Sequence, residues 1–168
     1  EEPACPRGTV ASFAKNNGPF YPSYDKEYFY ELLDRFEVNP EKRFRTLSAG
    51  QQKKAYVSYA LALNTKILLL DEPSNGMDIP SKTVFRSIVS GHISENRLIV
   101  ISTHQVRDLE NLIDPIIILD HKDVLLHASI QEITQKVCFI MLPITRMKPS
   151  IVKKPHLVIP WLRQIQPA

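Results

Sequence analysis

The chain has 168 residues, 43% of them hydrophobic and 23% charged, with a formal charge of +3. That length suits one domain with a real core, the balance is ordinary for a soluble globular protein, and mild, scattered basic charge argues against a nucleic-acid-binding face. No apolar run approaches the roughly 20 residues of a membrane helix and no secretory leader stands at the start, while Cys5 and Cys138 lack metal-ligand spacing and read as unpaired thiols of a reducing compartment.

In chain order, residues 1–24 are rich in Pro, Gly and Asn, with one short strand expected from Thr9 to Phe13. Gly18-Pro19-Phe20-Tyr21-Pro22 reads as a rigid turn carrying two aromatics, because each proline fixes its own φ and restricts its neighbour. Asp25 caps a helix from Lys26 to about Phe36 with an apolar stripe of Tyr28, Phe29, Leu32, Leu33 and Phe36, and Asn39-Pro40 breaks it. After the basic connector Glu41 to Arg45, Ser48 and Gln51 form a capping box that opens a helix running to about Leu63.

Ile67-Leu68-Leu69-Leu70-Asp71-Glu72-Pro73 follows a short turn. Its uninterrupted apolar residues predict a strand buried on both faces, ended by two carboxylates and a proline. A helix from Ile79 to Ile93 carries Pro80 in its first turn. Arg97 to Ser102 reads as a second buried strand closing on Thr103-His104, then Val106 to Leu112 as a short helix. Ile116 to Leu119 and Val124 to Leu126 read as strands joined by the turn Asp120 to Asp123, and Ser129 caps a helix from Ile130 to about Val137. Such alternation predicts an α/β fold whose parallel sheet has right-handed crossovers. From Cys138 onward, prolines punctuate short apolar pieces, and a disordered or loosely packed tail is expected.

The carboxyl end of a strand in an open α/β sheet is where ligands bind, so Asp71 and Glu72 stand where chemistry is expected. Side chains alternate along a strand, so the two point apart: one can hold a cation while the other faces a water molecule.

Leu47-Ser48-Ala49-Gly50-Gln51-Gln52 about twenty residues before Asp71-Glu72, Asn75-Gly76-Met77-Asp78 just after it, and Thr103-His104 at the next strand end together resemble the ATP-binding subunit of ABC transporters. The resemblance spans roughly Phe20 to Lys136, and the aromatic turn, the helix after it and the basic connector look like the subgroup serving ABC-2 type exporters. It implies a partial P-loop NTPase-like sheet with an α-helical signature subdomain. Residues 1–24 would be a remnant of the N-terminal subdomain and glutamine-loop region, 25–64 the signature subdomain, 65–137 the core and 138–168 an irregular tail. In the family pattern Asp71 would hold Mg²⁺, Glu72 would act as general base on the attacking water, and His104 would contact the γ-phosphate. Ser48, Ala49, Gly50 and Gln51 would face the ATP of the opposite subunit, with Asp78 at that interface. The implied partners are a membrane-spanning transporter subunit and a second ATP-binding subunit, identical or not. The implied location is cytoplasmic, on the inner face of the cell membrane. Phe20, Tyr21, Tyr24 and Tyr28 would form the coupling surface.

The departures carry equal weight. No G-x-x-x-x-G-K-[ST] phosphate loop occurs, and Ala49 replaces the family's first signature glycine. The expected glutamine is missing too, with Asn16 or Asn17 nearest its place. The chain also begins at Glu1 rather than methionine. It therefore reads as the later part of an ATP-binding subunit. Two alternatives stand beside this reading: a catalytically inactive ABC-like interaction module, and a soluble ABC-type ATPase of DNA repair or translation.

Overall fold

The computed structural model describes residues 5–92, 97–109, 112 and 114–136, and the chain divides into two compact units between Ile113 and Asp114. The expected tail from Cys138 lies outside the described residues, as do Ile93 and Val137 at two expected helix ends.

Thr9 to Phe13 is not a strand: helix α1 runs Val10–Asn17, with the Thr9 hydroxyl accepting from the Ser12 N–H at 3.1 Å. Val10 and Ala14 are its buried residues, so the operative spacing is four rather than two. Helix α2, Lys26–Arg35, starts where the Asp25 carboxylate accepts from the Tyr28 N–H at 2.8 Å. It buries Phe29, Leu32 and Leu33. Helix α3, Ala49–Ala62, opens on the expected capping box and packs on α2. Phe13 joins them, its ring edge-on to Phe44 at 5.1 Å and to Tyr59 at 4.9 Å.

Strand β1, Ile67–Asp71, pairs in parallel with β2, Leu98–Ser102, from Ile67 opposite Leu98 to Asp71 opposite Ser102. Between them runs α4, Ile79–Gly91, capped by the Asp78 carboxylate, which accepts from the Ser81 N–H at 2.8 Å. The expectation of strands buried on both faces is overturned. Leu68 and Leu70 are 6% and 8% exposed, but Ile67 and Leu69 are 60% and 72% exposed, and Leu98 and Val100 of β2 are open too. One face meets the core; the other is largely open. The short helix expected from Val106 is a 3₁₀ turn over Val106–Leu109.

In the second unit β3, Ile116–Asp120, and β4, Asp123–Ala128, form an antiparallel hairpin, with His121 in its turn at φ 51°. Among the described residues, the parallel pairing is thus confined to β1 and β2. Helix α5, Ile130–Lys136, is capped by Ser129, whose hydroxyl accepts from the Glu132 N–H at 3.1 Å.

Candidate functional site

Register brings the first pair of polar groups together. Asp71 and Ser102 are partners across the ends of β1 and β2, and the Ser102 hydroxyl donates to Asp71 Oδ1. Asp71 supplies an exposed oxygen donor backed by a hydroxyl, which suits a hard cation that takes one or two carboxylates and keeps several waters. Among the described residues no cluster of three or more His, Cys, Asp or Glu forms a metal cage.

Glu72 leaves the strand with φ 45°, in the left-handed region that a glutamate seldom occupies. Its N–H donates to the Ser102 carbonyl at 2.9 Å, while its own carbonyl accepts from the Asn75 N–H at 3.2 Å and from Lys53 Nζ at 3.1 Å. The turn aims the carboxylate at the loop after β2. Oε1 accepts from the His104 N–H at 2.8 Å and from His104 Nδ1 at 2.6 Å, and Oε2 accepts from the Thr103 hydroxyl at 3.2 Å. A carboxylate only accepts, so Nδ1 of His104 carries a proton. These bonds, the His104 side chain first, hold the Glu72 carboxyl below its usual range. Behind the histidine, Gln105 Nε2 lies 3.4 Å from His104 Nε2, and Gln105 Oε1 accepts from Lys82 Nζ at 2.7 Å. Asp71, Glu72 and His104 therefore share one sheet end.

The segment Ser48 to Gln51 forms the N-terminus of α3. Ser48 Oγ accepts from the Gln51 N–H at 3.3 Å, and Gln51 Oε1 accepts from the Ser48 N–H at 3.4 Å. Ala49 is an ordinary helical residue, so the methyl group in place of glycine costs the backbone nothing. A Cβ on Gly50 would stand 2.7 Å from the carbonyl oxygen of Gly76, so the missing side chain is what lets α3 close on the turn after β1.

That contact was not foreseen from the sequence, nor were the grips of Lys53 on Glu72 and of Lys54 on Asp78, the latter at 3.8 Å. A lysine reaching a main-chain carbonyl leaves no sequence signal. The capping role of Asp78 could have been found, since an acidic residue two before a proline at a helix start is a recognised cap pattern. The bond to Ser81 holds the Asp78 carboxyl below its usual range.

The expected aromatic surface divides. Phe20 and Tyr21 are 81% and 43% exposed, whereas Tyr24 and Tyr28 pack against the core. Burial pushes the Tyr24 hydroxyl up to about 12. Asn17, expected as a stand-in for the missing glutamine, donates its amide to the Phe13 carbonyl at 2.8 Å within its own helix, and Asn16 is exposed at the end of that helix.

Residues 5–75 match the family model described as ABC transporter. The chain is 30% identical over 93 residues to the ABC transporter ATP-binding protein YtrB of Bacillus subtilis, covering 55% of this chain and 32% of that protein. It is 31% identical over 110 residues to an uncharacterized ABC transporter ATP-binding protein of Methanocaldococcus jannaschii, covering 64% and 42%. It thus spans less than half the length of these relatives. A solved ATP binding subunit of an ABC transporter superposes with a TM-score of 0.69 at 19% identity, covering 80% of this chain and 60% of that one. An RNase-L Inhibitor structure superposes at 0.64 with 18% identity, covering 79% and 27%. At such identities the structures speak for the fold alone. The motifs in their order, the matched residues and the shared α/β fold agree: the chain is similar to part of the ABC transporter ATP-binding proteins.

Proposed function

We propose that this chain serves in the ATP-binding subunit of an ABC transporter and supplies the hydrolytic end of the Mg-ATP site together with the signature segment. The supporting observation is the Glu72 carboxylate, fixed by His104 and Thr103 beside Asp71 where two parallel strands end. Phosphoryl transfer asks little covalent help of a protein; it asks for positioned charge and an oriented water. Glu72 would take the proton of the attacking water, and His104 would hold that carboxylate in place while facing the terminal phosphate. Asp71 would hold Mg²⁺, which when bound neutralises charge developing on the phosphate oxygens. The free N–H groups at the start of α3 suit an anion, and the Ser48 hydroxyl sits among them. In a head-to-tail dimer this segment would close on the ATP of the opposite subunit, with Asp78 at the same seam. Exposed Phe20 and Tyr21 would meet the membrane-spanning partner at the inner face of the membrane.

The test is made in a polypeptide joining these residues to a phosphate loop. There Glu72→Gln should lower kcat by about a hundredfold or more while leaving Mg-ATP binding in place. Unchanged turnover removes Glu72 from its role. Ser48→Arg should block turnover by setting bulk and charge against the opposite phosphate, and undiminished turnover in that variant removes the sandwich dimer.

One observation favours a second reading, an inactive module that docks on an intact ATPase or a membrane subunit: these 168 residues contain no phosphate-loop sequence. A Glu72-dependent Mg-ATPase rate from the chain by itself would exclude it. Titration with Mg-ATP sets the same question calorimetrically. Binding in the micromolar range would reveal a phosphate cradle within these residues.

A further inference from the structure

We propose that Lys53 is a positioning residue for Glu72, and that through it the phosphate-facing end of α3 is mechanically tied to the carboxylate of its own chain. The functional meaning rests on the reading above of Glu72 as base and of Ser48 to Gln51 as a phosphate-facing segment. The physical claim rests on geometry alone.

Glu72 sits at φ 45°, a conformation that persists in a glutamate only where its surroundings enforce it. Three bonds hold its peptide groups. The Glu72 N–H bond to the Ser102 carbonyl and the Asn75 N–H bond to the Glu72 carbonyl come from the strand end and the turn, as any tight exit from a strand would supply. The third reaches across nineteen positions of sequence, from the Lys53 ammonium on α3 to the Glu72 carbonyl at 3.1 Å. It is a charge-assisted bond from a half-buried lysine, stronger than its neutral neighbours. It fixes the plane of the peptide that follows Glu72, and with it the direction in which the carboxylate leaves the chain.

Lys53 is not anchored on a mobile loop. It stands in the second turn of the 14-residue helix α3, five residues after the Ser48 cap. The turn before it brings Gly50 against the Gly76 carbonyl, and the residue after it places Lys54 Nζ 3.8 Å from Asp78 Oδ2. One face of α3 thus grips residues 72, 76 and 78 of the segment that follows β1. A ligand that shifts Ser48 to Gln51 moves the Lys53 anchor with them, because a short helix moves as a unit. The Glu72 peptide then tilts, and its carboxylate moves relative to the His104 N–H and Nδ1. The segment facing one nucleotide is in this way connected to the base acting on another.

Hydrogen exchange on the 168-residue chain tests this without nucleotide. The His104 N–H donates to Glu72 Oε1 at 2.8 Å, so its protection reports whether the carboxylate is in place. Lys53→Met keeps the aliphatic stem and removes the donor. It should make the His104 amide exchange about tenfold faster or more. The Phe36 amide, bonded to the Leu32 carbonyl at the end of α2, should keep its wild-type rate. Lys53→Arg, which restores a donor, should return the His104 rate to that of the wild type. Unchanged His104 exchange in Lys53→Met overturns the proposal, as does failure of Lys53→Arg to restore it. If Phe36 exchange also rises in Lys53→Met, the wild-type chain decides. A slowly exchanging Lys53 ammonium, seen as its own ¹⁵N–¹H correlation, supports the bond, and a freely exchanging one overturns it. A chain that fails to bind ATP would defeat the proposed function and leave this coupling standing.

Discussion

Within the first unit, the helical part and the strand pair solve the same problem to different degrees. Helices α2 and α3, joined by Phe13 and Phe44, bury Phe29, Leu32, Leu33, Phe44 and Leu61 completely or nearly so. Strands β1 and β2 bury one face through Leu68 and Leu70 and leave Ile67, Leu69, Leu98 and Val100 open. Yet the strand pair, not the helical part, carries the carboxylates. The Ser48–Gln51 segment is therefore displayed by the region with its own core, whereas the proposed metal ligand and base, Asp71 and Glu72, sit at the end of a sheet only half covered by the described residues. The site's precision must come from hydrogen bonds at the strand ends and from the grip of α3, because packing of the sheet supplies only half of what it could.

The largest effect that sharpens this contrast is a pair of truncations. Phe29→Ala empties a fully buried position between helices and should cost about 3–5 kcal/mol in urea unfolding. Leu69→Ala, on the open face of β1, should stay within about 0.5 kcal/mol of wild type although it lies two residues from Asp71. Equal losses would mean that the open face is covered in solution, and the comparison would fail.

Much of this was legible because the chemistry-bearing residues lie in short contiguous stretches. Asp71-Glu72 at a strand end, Thr103-His104 at the next, and the Ser48–Gln51 box at a helix start each sit where the sequence indicates. What was not legible has physical causes. Four apolar residues in a row cannot say whether one face of a strand is covered or two. Thr9 to Phe13 looks like a strand by its β-branched residues, and only the burial of Val10 and Ala14 together reveals the helical period. The division of the aromatics depends on tertiary contacts and not on residue type: Tyr24 meets Tyr59 of α3, Tyr28 meets His92 at the end of α4, and Phe20 is open. The grips of Lys53, Lys54 and Gly50 on Glu72, Asp78 and Gly76 join positions 19, 24 and 26 residues apart in sequence, and nothing local announces them.

Two glycines sharpen the same comparison at a smaller scale. Gly50→Ala places a methyl group 2.7 Å from a main-chain oxygen, where neither helix nor turn yields cheaply, and should destabilise by about 1–3 kcal/mol. Gly91→Ala, at the end of α4 with open space around it, should stabilise by about 0.5–1 kcal/mol. Thermal unfolding of the two variants side by side reads the difference, and a neutral Gly50→Ala would mean that α3 does not sit against the turn. Next in size is the cap of α4. Asp78→Ala removes the bond to the Ser81 N–H and should cost about 1 kcal/mol, whether or not a second subunit is present. Destabilisation seen only in a dimer would move Asp78 from cap to interface.

The smallest expected effect is the one that joins the two regions. His92, at the end of α4, stands 2.6 Å from the Tyr28 hydroxyl of α2 and 2.8 Å from Arg97 Nη1, and Arg97 Nη2 donates to the Leu61 carbonyl of α3 at 3.2 Å. A guanidinium only donates, so Nδ1 of His92 is the acceptor and Nε2 carries the proton that the Tyr28 oxygen accepts. The bridge requires neutral histidine. Burial first, and the charge of Arg97 second, lower the His92 pKa below its ordinary 6.5. The unfolded chain therefore binds this proton more readily than the folded one. The contribution is fully present above the unfolded value and is lost as pH falls through it toward the folded value. Urea midpoints taken from about pH 8 down to about pH 5.5 should decline, and His92→Gln, which cannot titrate, should flatten that part of the decline. If the slopes coincide, another group drives the loss. The helices and the strand pair would then be held together by the apolar core and the grip of α3 alone, without a protonation-sensitive link.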